Sequence, residues 1–276
     1  MSDTTMLKND NLPEQKKLSN MPEAPDLEVF AKNLNKLFAG RKLAEIKIVN
    51  AKSSKGDATA LDANLKGHKL VAVYRSGKEL RFQFSNKLVL GMHLMLHGKL
   101  YEFNETNENK NTLIELYFEG KGLALTDYQG YANVKLNPED KKGIDTLSKE
   151  LDFAYLKKAL QSKSNIKTRI TNQDVIRGIG NAYADEILWE AKIAPQSVSN
   201  KIPDDKIKTL AAAIKAVLEN AEKEISKSHP GIIAGEVRDF LKIHNSKKDK
   251  SPTGAEIKAD KKGGVTYYTD EQEIFI

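Results

Sequence analysis

From Pro25 to Gly40 the apolar positions fall at Leu27, Phe30, Leu34, Leu37 and Phe38. That three-and-four spacing predicts a helix with one buried face, and Gly40 supplies the stop. The period then changes. Up to about Asn137, the runs "AEIKIVN", "KLVAVYRS", "KELRFQF", "KLVLGMHLML", "TLIELYFE" and "GLALTD" carry strand-forming residues, and turn pairs such as Ser76-Gly77 and Ser85-Asn86 divide several of them. One helix plus a β-sandwich is expected over 21–136. The polar, turn-rich "LNPEDKKG" predicts a linker, bounded at 137–148. Helical spacing returns through about Ile243, clearest at Ile207, Leu210, Ile214, Val217, Leu218 and Ala221, which gives a helical domain over 149–245. The last stretch, 246–276, holds two short strand-like runs around Lys-Lys-Gly-Gly and reads as a β-hairpin. The fold class is therefore α+β.

Composition narrows the classes. The chain has 276 residues, 39% of them hydrophobic, enough for two domains with cores of their own. No apolar run approaches a bilayer-spanning length, so no membrane association is expected. The first 20 residues are polar and lack the apolar centre of a secretory signal; they read as a disordered extension or an untranslated leader. There is no cysteine, which excludes disulfides, thiolate chemistry and cysteine zinc sites and fits a reducing cytoplasm. A net charge of +6 agrees with a nucleic-acid partner, but late lysine runs such as "HNSKKDK" are more often solvated surface, so charge alone decides little.

The most informative segment is "IRGIGNAYADEILWEA" (176–191). Gly178 and Gly180 permit a tight turn, and Asn181 can cap a helix beginning at Ala182. Such a turn aims backbone N–H groups and a positive dipole end at whatever precedes the helix, a geometry that suits a phosphate. On glycine spacing alone, an ordinary interhelical turn is the simpler reading.

The whole string resembles the helix–two-turns–helix element of the formamidopyrimidine-DNA glycosylase and endonuclease VIII family. The likeness continues through "IAPQ" (193–196), with Ile166–Lys167 at the family's upstream spacing. "PEAPDLE" resembles the family's proline–glutamate start, "RSGKELRFQF" its strand carrying a functional lysine, "HLMLHG" its His-Leu-x-Met-x-Gly hairpin, and "VTYYTDEQ" its final hairpin. These landmarks occur in order from Met21 to near the C-terminus.

The resemblance implies a DNA glycosylase with abasic-site lyase activity on oxidised bases. It needs no cofactor and no metal, acts on damaged DNA, expected as duplex, and works as a monomer in the cytoplasm, associated with the nucleoid in a bacterium. In the family an N-terminal proline amine attacks the sugar and a Schiff base forms. The corresponding residue is Pro22, which has a free lone pair only if translation starts at Met21 and that methionine is removed. An internal proline nitrogen is an amide. Glu23 would serve general acid–base chemistry and Lys78 would approach phosphates or assist elimination. Gly180, Asn181, His93 and Lys167 are carried over as contacts to the DNA backbone, with Lys261 and Lys262 nearby on the hairpin. Leu96 and Tyr131 fall where the family places wedges that fill the gap left by an everted base. Each has an ordinary alternative: a helix cap for Asn181, a first-turn acid for Glu23, an exposed strand lysine for Lys78. His93 and His97 have helix-type metal spacing but lie in a strand reading without a third ligand, so metal is rejected.

Three positions depart from the family. Gln129 and Gly130 stand where an arginine usually faces the orphaned base. The four zinc cysteines are absent, with Lys250, Thr253, Thr269 and Gln272 in the aligned region, as in zincless fingers. Gly264 and Val265 replace the hairpin arginine that grips phosphates. A non-catalytic damaged-DNA-binding protein of the same fold is therefore the alternative, and a general nucleic-acid module that borrows the helical element is a third.

Overall fold

The computed structural model describes residues 21–50, 58–261 and 264–276. Helix α1 (Ala24–Phe38) forms as its periodicity predicts, with Pro25 in the first turn and Gly40 at φ +84° just beyond its end. Eight strands follow: β1 (Leu43–Ile48), β2 (Leu70–Ser76), β3 (Glu79–Phe84), β4 (Val89–His93), β5 (Lys99–Phe103), β6 (Thr112–Phe118), β7 (Lys121–Thr126) and β8 (Asn133–Leu136). They make two four-stranded antiparallel sheets, ordered β1-β6-β7-β5 and β2-β3-β4-β8. A core including Leu34, Phe38, Phe82, Leu90, Ile114 and Leu123 holds the sheets and α1 together. Between β1 and β2 lies a short helix, α2 (Ala58–Leu65), which the strand-dominated pattern does not predict. Its Leu61 and Leu65 join the sandwich core, so tertiary burial stabilises eight residues too few to form a helix alone.

The helical lobe contains α3 (Phe153–Ala159), α4 (Ile166–Thr171), α5 (Asn181–Glu190) and α6 (Asp204–Ser228). Helix α5 is buried on nearly all sides and forms the axis of a second core with Ile170, Ile187, Leu188, Leu210 and Ile214. The C-terminal hairpin pairs β11 (Lys258–Asp260) with β12 (Thr266–Tyr268). No described helix is long and apolar enough to cross a membrane.

Two domain expectations need correction. The expected linker 137–148 contains a strand, β9 (Ile144–Asp145), paired in parallel with β10 (Ile176–Arg177). The Asp145 carboxylate takes two bonds from Arg75 (2.6 and 2.7 Å) and one from Gly77 N–H (2.8 Å), so it fastens the helical lobe to the β2–β3 turn. The polar sequence here is an ion-paired seam on Arg75, whose own side chain is buried. Helical structure also ends at Ser228, well before Ile243. Residues 229–245 run as turns across both lobes: Val237 packs with Val29 and Ile225, and Ile232 and Ile233 touch the sandwich core. Their apolar residues are buried by neighbours on several sides, which mimics helical spacing. The predicted extension 1–20 lies outside the described residues.

Candidate active site

The first turn of α1 is tied to the first turn of α5. Ala24 N–H donates to the Gly178 carbonyl at 3.0 Å. Glu23, almost wholly buried, accepts from the backbone N–H groups of Gly180 (2.6 Å), Ala182 (2.9 Å) and Tyr183 (3.3 Å). The expectation that these amides await a phosphate, with Asn181 as cap, is therefore corrected. Helix α5 begins at Asn181, Gly180 is its cap residue, and the anion at the helix end is Glu23. A carboxylate there satisfies orphan donors and complements the helix dipole. Asn181 instead donates from Nδ2 to the carbonyl of Val265 on the hairpin at 2.8 Å.

Two glycines make this junction possible. Gly178 adopts φ +110°, and a Cβ on it would lie 2.8 Å from Thr146 Cγ2 and 3.0 Å from Ala24 Cβ. Gly180 is extended, so its requirement is space alone. A Cβ there would stand against Lys78 Nζ and 2.5 Å from Glu23 Cδ. Three residues predicted as functional thus converge on one point. Lys78 sits in the tight turn between β2 and β3, not on an exposed strand. Burial pushes its ammonium below the ordinary lysine value; the Glu23 carboxylate opposes this, while Lys141 and Arg238 add to it.

Behind Glu23, its own N–H donates to Asp26 (2.9 Å), and Asp26 receives two bonds from Arg238 at 2.7 and 2.8 Å. The Arg238 guanidinium also lies over the Tyr183 ring, 5.1 Å from its centre. Neither Asp26 nor Arg238 is singled out by the sequence: "GEVRDF" falls in a stretch that reads as helical, where alternating charges suit a solvated face.

Pro22 lines a cavity of about 590 Å³ together with Leu96, His97, Tyr128, Gly235 and Glu236. Lys78 and His93 line a neighbouring groove of about 650 Å³, with Met21, Lys135 and Arg177. His93 ends β4 and accepts from Met95 N–H through Nδ1 (3.1 Å), so the neutral ring carries its proton on Nε2. Leu96 is at the tip of the following turn, 44% exposed. Tyr131 is 63% exposed on a loop that the buried Asp127 shapes by accepting from the N–H groups of Gln129, Tyr131 and Ala132. His97 and Tyr128 bridge the two loops, with ring centres 4.5 Å apart.

Lys167, carried over as a contact to the DNA backbone, has partners within the protein. Its ammonium is 2.6 Å from the buried Asp185 carboxylate and 2.8 Å from Thr266 Oγ1. Asp185 also meets His244 Nδ1 (2.7 Å) and Tyr267 N–H (2.9 Å), so this cluster docks the hairpin on α5. Lys261 is exposed on the hairpin, and Lys262 lies outside the described residues. Among the described residues no group of three His, Asp or Glu side chains is placed to hold a metal ion.

Comparison with known proteins agrees with this architecture. The model of the formamidopyrimidine-DNA glycosylase N-terminal domain matches residues 21–134, and that of the formamidopyrimidine-DNA glycosylase H2TH domain matches residues 143–229. A formamidopyrimidine-DNA glycosylase of Lactobacillus gasseri is 32% identical over 216 residues, covering 74% of this chain and 78% of that protein. One from Mycoplasma genitalium is 31% identical over 248 residues, covering 83% and 87%. The solved complex between the Lactococcus lactis enzyme and DNA containing an abasic site superposes with a TM-score of 0.80 at 26% identity, covering 90% of this chain and 97% of that one. The chain belongs to the formamidopyrimidine-DNA glycosylase family.

Proposed function

We infer that this protein is a DNA glycosylase of base-excision repair that also cleaves at abasic sites, and that Pro22 is its nucleophile. The observation that carries the second part is the position of Pro22 on the cavity wall, one residue from the carboxylate that joins α1 to α5 beside Lys78. As a terminal residue, Pro22 offers a secondary amine whose lone pair adds to C1′ of the damaged nucleotide. The base departs with the amine's proton, and the C1′–O4′ bond opens as Glu23 protonates the ring oxygen. The resulting iminium ion acidifies C2′, so that loss of a C2′ proton expels the 3′ phosphate and breaks the strand. Held against the α5 amides, Glu23 fixes the turn that aims the amine and is next to it for proton transfer. Lys78, which burial holds below the ordinary lysine value, gives up a proton more readily than an exposed lysine.

The substrate is damaged DNA carrying oxidised bases, bound as duplex by a monomer in the cytoplasm. Leu96 and Tyr131 enter the space left by the everted base. His93, Asn181, Lys261 and Lys262 contribute backbone contacts, and Gly180 supplies clearance. In a chain that retains residues 1–21, Pro22 is an amide and the same fold acts as a damaged-DNA-binding protein.

Borohydride trapping on abasic-site DNA separates the two, using the full chain and a form whose mass shows Pro22 to be first. A covalent adduct from the Pro22-first form alone supports the amine mechanism. An adduct from neither form overturns it and leaves the binding protein. Adducts from both assign the attack to another amine.

A further inference from the structure

Two crossovers between the sheets of the sandwich run side by side. The turn 94–98 carries the chain from β4 in one sheet to β5 in the other, and the loop 127–132 returns it from β7 to β8. Lys99 is opposite Thr126 in the β5–β7 register, and His93 is opposite Asn133 in the β4–β8 register. The two segments therefore leave and re-enter the sheets as neighbours.

Each crossover is shaped from within, and their bases are packed together. In the turn, Met95 adopts φ +54° and Gly98 N–H donates to the Leu94 carbonyl at 2.8 Å. In the loop, three backbone N–H groups converge on the buried Asp127. A Cβ on Gly98 would lie 2.9 Å from Ala132 Cβ, so the segments touch where they join the sheets. Their tips stand out instead: Leu96, Tyr128 and Tyr131 are all exposed, and Leu96 and Tyr128 line the Pro22 cavity. A bond crosses between these tips. The Tyr128 hydroxyl is 3.1 Å from His97 Nε2, either group can donate, and the two rings are in contact. His97 is the residue after Leu96, and Tyr128 precedes Tyr131 by three.

We propose that His97 and Tyr128 are positioning residues that couple the wedges Leu96 and Tyr131, so that both enter the duplex as one unit. Opening a base stack costs free energy that is recovered only when the gap is filled. Tips held in one arrangement before contact lose less freedom on insertion than tips that must be ordered one at a time. This inference rests on the glycosylase reading and on the wedge roles assigned there. It concerns how the duplex is opened, not the attack by Pro22.

The test follows unstacking, which does not require a free proline amine. The full chain is mixed with a duplex carrying a tetrahydrofuran abasic analogue opposite 2-aminopurine, whose fluorescence rises when it unstacks. His97→Ala and Tyr128→Ala should each slow that rise about fivefold, the effect of one lost hydrogen bond with its ring contact. The double variant should be no slower than either single one, because each removes the same link. Tyr128→Phe keeps the ring and should lose less. Affinity for the duplex should fall less than the unstacking rate does, since phosphate contacts supply most of it. The melting temperature of the free protein should not move, the pair being at a solvent-facing tip.

An alanine variant with wild-type unstacking overturns the proposal. So does a double variant whose slowing is the product of the two single effects, or a slowing matched by a fall in melting temperature, which would make the pair merely structural. A wild type that binds the abasic analogue no better than intact duplex overturns the glycosylase reading, and this inference with it. Preferential binding with unchanged alanine variants overturns this inference alone.

Discussion

Helix α5 makes two attachments, and they are built differently. At its first turn it meets α1 through one carboxylate, Glu23, and two glycines that allow backbone and side chains to close up. Further along, Asp185, Glu186 and Trp189 hold residues 242–244, Tyr267 of the hairpin and Glu271 through side-chain bonds and ion pairs. The first junction sets the geometry of the groups proposed to react and leaves no spare volume. The second sets the place of the hairpin, which is proposed to grip DNA, and is made of side-chain partners that could be exchanged. Damage at the first should therefore remove chemistry, and damage at the second should remove stability and grip.

The largest stability loss is expected at the second attachment. Asp185→Ala strands the Lys167 ammonium and His244 in a buried site, and breaking a buried pair costs about 3–5 kcal/mol. Urea denaturation measures this directly; a loss below about 1 kcal/mol would mean the cluster is wetter than its burial implies. Gly180→Ala comes next and sharpens the contrast. Its Cβ forces Lys78 and Glu23 apart, at a cost of about 1–3 kcal/mol in stability. The same displacement should reduce strand cleavage at abasic sites about 100-fold, because reactive groups tolerate little misplacement. DNA affinity measured alongside should change far less than cleavage. Equal losses in both would make Gly180 part of the grip instead of the chemistry.

These two residues also mark what could be read in the sequence. The sandwich, α1 and the helical element were legible because their apolar residues recur at fixed periods. Gly180, Glu23 and Lys78 were legible because their motifs resemble a family, although nothing in the string says that they converge. Two kinds of feature were hidden. The caps and ion pairs join residues far apart in the chain: Glu23 with Gly180, Asp26 with Arg238, Arg75 with Asp145. Pattern reading sees neighbours only, so Asn181 looked like its own helix's cap. The other hidden feature was irregular backbone buried between the lobes. Residues 229–245 carry Glu236 and Arg238 in turns whose apolar spacing imitates a helix.

The smallest expected effects concern how the hairpin does without cysteine. Around Glu271 lie Trp189 Nε1 (3.2 Å), Thr253 Oγ1 (2.8 Å) and Thr269 Oγ1 (3.2 Å), with Lys192 Nζ 3.4 Å from its other oxygen. Gln272 adds bonds to Thr269 N–H and the Ile193 carbonyl, so Thr253, Thr269 and Gln272, in the region that resembles the zinc finger, hydrogen-bond within the protein. A chelator should consequently leave the melting temperature unchanged, since no thiolate exists to lose a metal.

Acid, by contrast, should loosen the hairpin. The bond from Thr253 is the largest influence holding the Glu271 carboxyl below its usual value, and Trp189 and Lys192 act in the same direction. A depressed carboxyl contributes stability that is fully present above its unfolded value of about 4.3 and is lost as pH falls through the folded value. Glu271→Gln should therefore lower the melting temperature slightly at pH 7 and shrink the difference from wild type as the solution is acidified. Amide exchange at Thr266–Tyr268 localises the effect to the hairpin. A variant whose deficit stays constant from pH 7 to pH 3 would show that packing, and not the charge on Glu271, holds this end of the chain.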